Sequence, residues 1–244
     1  MSNLKELKNR KKPQRSKSKS NARYYLIGGI AVAAIIVYIL ATTVLHGQGG
    51  VAKPIILYVN QGNGVVNGSN FGELLDTATS HGFNTIFFQI YRSGTLLFSN
   101  SSLSQFVVSA HAQDLKIFFA LYFTNSTQTI PHSIYTDGED GISLDMSTLS
   151  VSSQVTLLND LTVSYSGKTA VTTTDPTIPL SPDLLIVETY SQADKQYIHQ
   201  GIIAGVEVVA TTSKQDYEQQ VQYALANSNG VMVFDYAGLV KSGY

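Results

Sequence analysis

At 244 residues the chain has room for one full-sized domain, or for a smaller one with an appendage. It contains no cysteine, so an exported fold must rest on its own core rather than on disulfides. The formal net charge of −1 conceals two opposite halves: residues 1–23 carry nine Lys or Arg against Glu6 alone, about +8, while residues 46–244 carry seven basic residues and sixteen acids, about −9.

The first 23 residues, rich in Ser and Lys and free of aromatics, have the composition of a disordered tail. Tyr24 to Leu45 follow as twenty-two residues without a charge. At ~1.5 Å per helical residue they reach roughly 33 Å, enough to cross the hydrocarbon core of a bilayer. A cleaved signal peptide is the competing reading. Its apolar region usually runs about 7–15 residues and ends in a small-residue cleavage site, to which Ala41-Thr42-Thr43 is a poor match. The expectation is therefore a transmembrane anchor at 24–45, a basic cytoplasmic tail at 1–23, and an acidic remainder on the outer side. The same rule accounts for the basic tail without nucleic acid, because positive charge inside a span orients it and attracts anionic lipid.

Residues 46–53 (HGQGGVAK) read as a short flexible linker, leaving 54–244 as the main domain. Asn67-Gly-Ser, Asn100-Ser-Ser and Asn125-Ser-Thr are glycosylation acceptors that suit a surface glycoprotein. Eight apolar runs of strand length recur in this domain: Ile55–Asn60, Thr85–Tyr91, Lys116–Phe123, Gly141–Met146, Lys168–Thr173, Leu184–Tyr190, Ile202–Ala210 and Val231–Tyr236. Continuous apolar runs, rather than strict alternation, mark strands covered on both faces, as in a parallel sheet. Helical spacing of apolar residues predicts helices at Phe71–His81, Leu103–Gln113, Ser152–Tyr165 and Asp216–Ala226, whereas Asn125–Asp140 and Asp175–Asp183 are irregular. The predicted fold class is α/β, a compact (β/α)8 TIM-type barrel. An open doubly wound sheet is the alternative, but the first strand leads into Val59-Asn-Gln-Gly-Asn-Gly, which lacks the G-x-G-x-x-G spacing.

In such a barrel the chemistry sits at the C-terminal strand ends. Those ends carry carboxylates, tyrosines and one arginine, a set suited to sugars, which stack on aromatic faces and bind carboxylates through their hydroxyls. In Asp140-Gly-Ile-Ser-Leu-Asp145-Met-Ser147 the pleat puts Ser143, Asp145 and Ser147 on one face. Asp145 then points into the barrel mouth if Ile142 and Leu144 pack outward. Its competing role is a helix cap, for which Ser147 or Ser150 is better placed. Glu188 shares a face with Tyr190 and interrupts an apolar strand; its alternative is a structural ion pair with Arg92. Asp145 and Glu188 are the candidate catalytic pair, and Tyr58, Gln89, Tyr91, Arg92, Tyr122, Tyr190, Asp235 and Tyr236 the candidate substrate-binding residues. Asp235 has the opposite parity to Phe234 and Tyr236, which turns it toward the helices. Glu207 lies in mid-run, where its facing cannot be read.

Neither metal nor cofactor is expected. The five histidines form no ligand pair at helical spacing. Asp137-Gly-Glu-Asp-Gly141 lacks the calcium-loop spacing, and no P-loop or G-x-S-x-G is present.

Gly82-Phe-Asn-Thr-Ile-Phe-Phe-Gln-Ile90, with Gly94 and Phe98-Ser-Asn100 after it, resembles the second-strand signature of the glycosyl-hydrolase-like family 10 proteins. Gly82, Phe83, Asn84, Phe88, Gln89 and Gly94 fall in register; Tyr91 replaces an arginine, with Arg92 one place later, and Thr95 replaces an aspartate. Asp140-Gly-Ile-Ser-Leu-Asp145 resembles the same family's fourth-strand motif and, more distantly, the chitinase signature. There the catalytic acid would fall on Ser147 and an assisting aspartate on Ser143, so only Asp145 carries over. The ends of the sixth and eighth strands, Glu188-Thr-Tyr190 and Gly230-Val-Met-Val-Phe234, are similar to short motifs of that superfamily. The resemblance implies a glycoside hydrolase-like protein, and with the anchor and orientation expected from the charge pattern it would be membrane-anchored, face outward and act on a surface or extracellular carbohydrate. The alternative is an inactive relative that binds glycan or serves the cell envelope.

Overall fold

Each of the eight apolar runs begins a strand within one residue of its expected start. The computed structural model describes residues 52–61, 66–134, 138–179, 181–191, 193–209 and 211–242. The expected tail, the anchor at 24–45 and most of the linker lie outside them, and no described helix is long and apolar enough to cross a membrane.

The strands are β1 (Ile55–Val59), β2 (Thr85–Arg92), β3 (Thr95–Leu96), β4 (Lys116–Tyr122), β5 (Gly141–Asp145), β6 (Lys168–Thr173), β7 (Leu184–Glu188), β8 (Ile203–Glu207) and β9 (Val231–Phe234). β3 is a two-residue antiparallel flap on β2. The other eight pair in parallel around a ring, from β1 through β2 and β4 to β9, and β9 pairs with β1. The doubly wound alternative fails on that last pairing: the sheet has closed into a barrel and left no open parallel edge.

Closure divides the core in two. Outward residues such as Leu57, Phe88, Leu144, Val171 and Val233 pack beneath the helices. Inward ones, Ile56, Tyr58, Phe87, Phe118, Ala120, Ala170, Ile186, Ile203 and Met232, fill the barrel. Near its base the Phe87 and Phe118 rings stack at 5.0 Å. The neighbouring inward position is Gly141, where a β-carbon would collide with the Phe118 ring. Higher up, register places Ala120, Ser143 and Ala170 side by side. These small side chains leave room across the barrel for a long one.

Among the described residues five α-helices flank the strands: α1 (Phe71–Ser80), α2 (Asn100–His111), α3 (Val151–Ser164), α4 (Lys214–Asn227) and α5 (Tyr236–Lys241). α2 starts earlier than its apolar periodicity predicts because Ser99 caps it, its side chain accepting from the Ser102 amide. α1 ends as expected before Gly82, whose φ of +77° suits a residue without a β-carbon. The expected irregular connections carry no α-helix among the described residues. α5 is absent from the sequence reading, which ran the last strand on to Tyr236.

Candidate active site

The small residues on β4, β5 and β6 make way for Tyr58, which is fully buried on β1. Its hydroxyl crosses the barrel and donates to Asp145 Oδ2 at 2.9 Å. Ser147 Oγ lies 3.4 Å from Asp145 Oδ1. Asp145 is 5% exposed, and Ile142 and Leu144 do pack outward in the helix-facing core. α3 is capped by Ser150, not by Asp145. Burial, only partly offset by the Tyr58 and Ser147 hydrogen bonds and by the Arg92 charge, raises the Asp145 pKa to about 6. Gln89, buried on β2, accepts from the Gln61 amide at 2.9 Å, and its side chain lies beside Tyr58. A polar chain thus runs from Gln61 through Gln89 and Tyr58 to Asp145.

Glu188 ends β7 on the inward face, beside Gly205 of β8. Its pKa is raised to about 7, first by burial and then by the charges of Asp145 and Glu207. Tyr190 lies near enough to counter that rise in part, yet its buried hydroxyl completes no hydrogen bond. Burial and the surrounding carboxylates push the Tyr190 phenol far up, so it stays protonated. The rings of Tyr58 and Tyr190 flank Phe234, with centroids 5.0 and 5.9 Å from it. Two inward hydroxyls below, Ser143 and Thr172, are buried without partners.

Arg92 does not pair with Glu188. Its Nη1 donates to Asn60 Oδ1 at 3.3 Å and its guanidinium lies 5.4 Å from the Tyr122 ring centroid, while the one ion pair among the described residues is His111–Asp140. The placement of Arg92 follows from an irregularity between Gln89 and Tyr91, where the register with β4 shifts by one. Gln89 and Arg92 both face inward across this bulge, and Tyr91 turns out. The Tyr91 ring packs 5.4 Å from Phe123 under the helices, and its hydroxyl reaches Thr129 O at 3.4 Å. Tyr91 is therefore a wall residue and not part of the mouth. Tyr236 is likewise buried on the helix side, near Thr77 and Glu73 of α1. Asp235 Oδ1 accepts from the Gly238 amide at 2.9 Å as the cap of α5.

The structure thus brings together Asp145, Glu188, Tyr58, Gln89, Arg92, Tyr122 and Tyr190, places Asp235 at their edge, where it caps α5 and its charge reaches Tyr190, and leaves Tyr91 and Tyr236 on the helix side. It adds Glu207 and Phe234. Glu207 is the last residue of β8, exposed, with the inward parity of Ile203 and Gly205. The predicted strand ran on through Val208–Ala210 and hid that position. No described group of three or more His, Asp or Glu is placed to hold a metal.

Neither a protein-family model nor a curated protein sequence matches the chain. Solved structures do. A glycoside hydrolase family 5 protein from Bacteroides vulgatus superposes with a TM-score of 0.55 at 10% identity, over 76% of this chain and 59% of that one. A GH113 β-1,4-mannanase gives 0.51 at 8% identity, over 75% and 87%. The pneumococcal virulence factor StrH, solved for its N-glycan recognition and hydrolysis, gives 0.52 at 6% identity, over 77% and 78%. The fold these superpositions share with the chain is the (β/α)8 barrel. The likeness reaches the barrel they share and singles out no one family, the family 10-like proteins included.

Proposed function

We propose that the chain is a glycoside hydrolase-like protein whose barrel mouth binds and cleaves an extracellular or cell-surface carbohydrate. The observation that carries this reading is one mouth holding two carboxyl groups, Asp145 and Glu188, with pKa values of about 6 and about 7. Burial raises both, and the charge of one carboxylate holds the proton on the other, so the pair has what a general acid and an ionised nucleophile or stabiliser require. Tyr190 and Phe234 offer ring faces for a pyranose and Arg92 and Tyr122 polar contacts, while Tyr58 and Gln89 are buried behind them and hold the site in place. The activities of the structural neighbours agree with this use of the fold but do not carry it.

The charge asymmetry of the sequence supports anchoring through 24–45, with 1–23 cytoplasmic and the barrel outside. In intact cells, an externally added protease is then expected to cleave the barrel and spare a tag on the N-terminus. Protection of the barrel instead would overturn the orientation.

One observation favours a second reading, a barrel that binds glycan without cutting it. Asp145 is nearly enclosed and both of its oxygens face hydroxyl groups of the protein. Incubating the full chain and its Asp145→Asn variant with a polysaccharide panel separates the two. New reducing ends from wild type, reduced at least about 100-fold in the variant, support hydrolysis. Binding without turnover supports the second reading.

A further inference from the structure

Beside the mouth lies a second cavity of about 530 Å³, within the size range of small-molecule sites. One wall is the segment after β7, with Tyr190 and Lys195; the other is α4, with Asp216, Gln219, Gln220 and Tyr223. On α4 these four stand at i, i+3, i+4 and i+7, a single stripe of the helix. A barrel helix turns its apolar stripe onto the core and leaves its polar one outward. Here the apolar stripe is a neighbouring one, Tyr217, Val221, Ala224 and Leu225 packing inward. The amide and phenol stripe is left for the cavity.

The chemistry of the lining is that of a sugar site. Two carboxamides and two phenols supply donors, acceptors and ring faces, and the Lys195 ammonium sits 5.5 Å from the Tyr223 ring centroid. Lys195 and Asp216 bring one charge of each sign, so the lining favours a neutral ligand. Tyr190 belongs to both spaces. Its ring stacks near Phe234 in the mouth, and its buried hydroxyl has no partner.

We propose that the mouth continues past Tyr190 into this side cleft, and that the cleft binds a further segment of a neutral glycan chain. The protein then recognises an oligosaccharide rather than a disaccharide. This rests on the glycan reading above, and one titration tests them separately. Calorimetry uses the full chain in a detergent without a sugar headgroup, with neutral gluco-, manno- and chito-oligosaccharides as di- and hexasaccharides. The accepted series is expected to bind about 10-fold tighter as hexasaccharide, a gain of about 1.4 kcal/mol. Tyr223→Ala and Gln220→Ala, both at a helix surface, are each expected to remove most of that gain and leave disaccharide affinity unchanged. Equal affinity for both lengths in wild type, or a length gain that survives both substitutions, overturns the cleft alone. No binding by any series overturns the cleft and the glycan reading together.

Discussion

Tyr58 and Asp145 show what a single buried contact does to this site. Asp145 titrates at about 6 against an ordinary 3.8 because burial outweighs its hydrogen bonds. The folded protein therefore holds this proton more tightly than the unfolded chain. The stability it contributes is complete below about pH 4 and is lost as the pH rises through 6, a change on the order of 3 kcal/mol at about 1.4 kcal/mol per pK unit. Asp145→Asn removes the titration. Relative to wild type it is expected to gain roughly that amount in urea unfolding between pH 4 and pH 8; an equal difference at both pH values would contradict the burial argument. Tyr58→Phe removes the donor to Oδ2 and is expected to raise the Asp145 pKa further, read by carboxyl NMR, at a stability cost of about 1–3 kcal/mol. Asp145 was legible in the sequence because its parity and its outward neighbours agreed. Tyr91 was not, because period two assumes an unbroken strand and the bulge after Gln89 inverts it. Arg92 is the residue that the inversion delivers to the mouth.

At the scale of elements, strand starts were readable and most strand ends were not. Apolar runs begin where the sheet begins, but six of the eight overrun it, as where Val208 and Tyr236 are buried without extending their strands. The error falls where function sits. It hid Glu207 at the end of β8, and it drew Tyr236 into the mouth although that residue opens α5 and is buried on the helix side. Caps decide those boundaries. Ser213 accepts from the Asp216 amide at 3.1 Å, and Asp235 from the Gly238 amide at 2.9 Å. Ser213→Ala and Asp235→Ala are each expected to cost about 1 kcal/mol in unfolding free energy. Asp235→Asn, which keeps an acceptor, is expected to cost a few tenths at most, and glycan affinity should follow wild type in both Asp235 variants. A large loss of affinity in Asp235→Asn with unchanged stability would make Asp235 a glycan contact as well as a cap.

For the whole molecule, closure of the sheet is what turns separate strand ends into one site. β5 and β7 are two strands apart along the ring, with β6 between them, and the ring aims both carboxyl ends at the same axis. Tyr58 can reach Asp145 only because β9 closes on β1 and sets the two across an enclosed interior. The fold class was readable from eight alternating runs; that the mouth is a set of coupled carboxyls was not, because burial and mutual repulsion arise only when the strands are assembled. The most direct measurement is the pH dependence of glycan hydrolysis by the full chain and by Glu188→Gln. Wild type is expected to show a bell with limbs near 6 and 7, from loss of activity as Asp145 gains a proton and as Glu188 loses its own. Glu188→Gln is expected to bind glycan normally and turn over at least about 100-fold more slowly. Undiminished turnover in Glu188→Gln, or a rate flat from pH 5 to pH 8, would contradict the assignment of these two carboxyls.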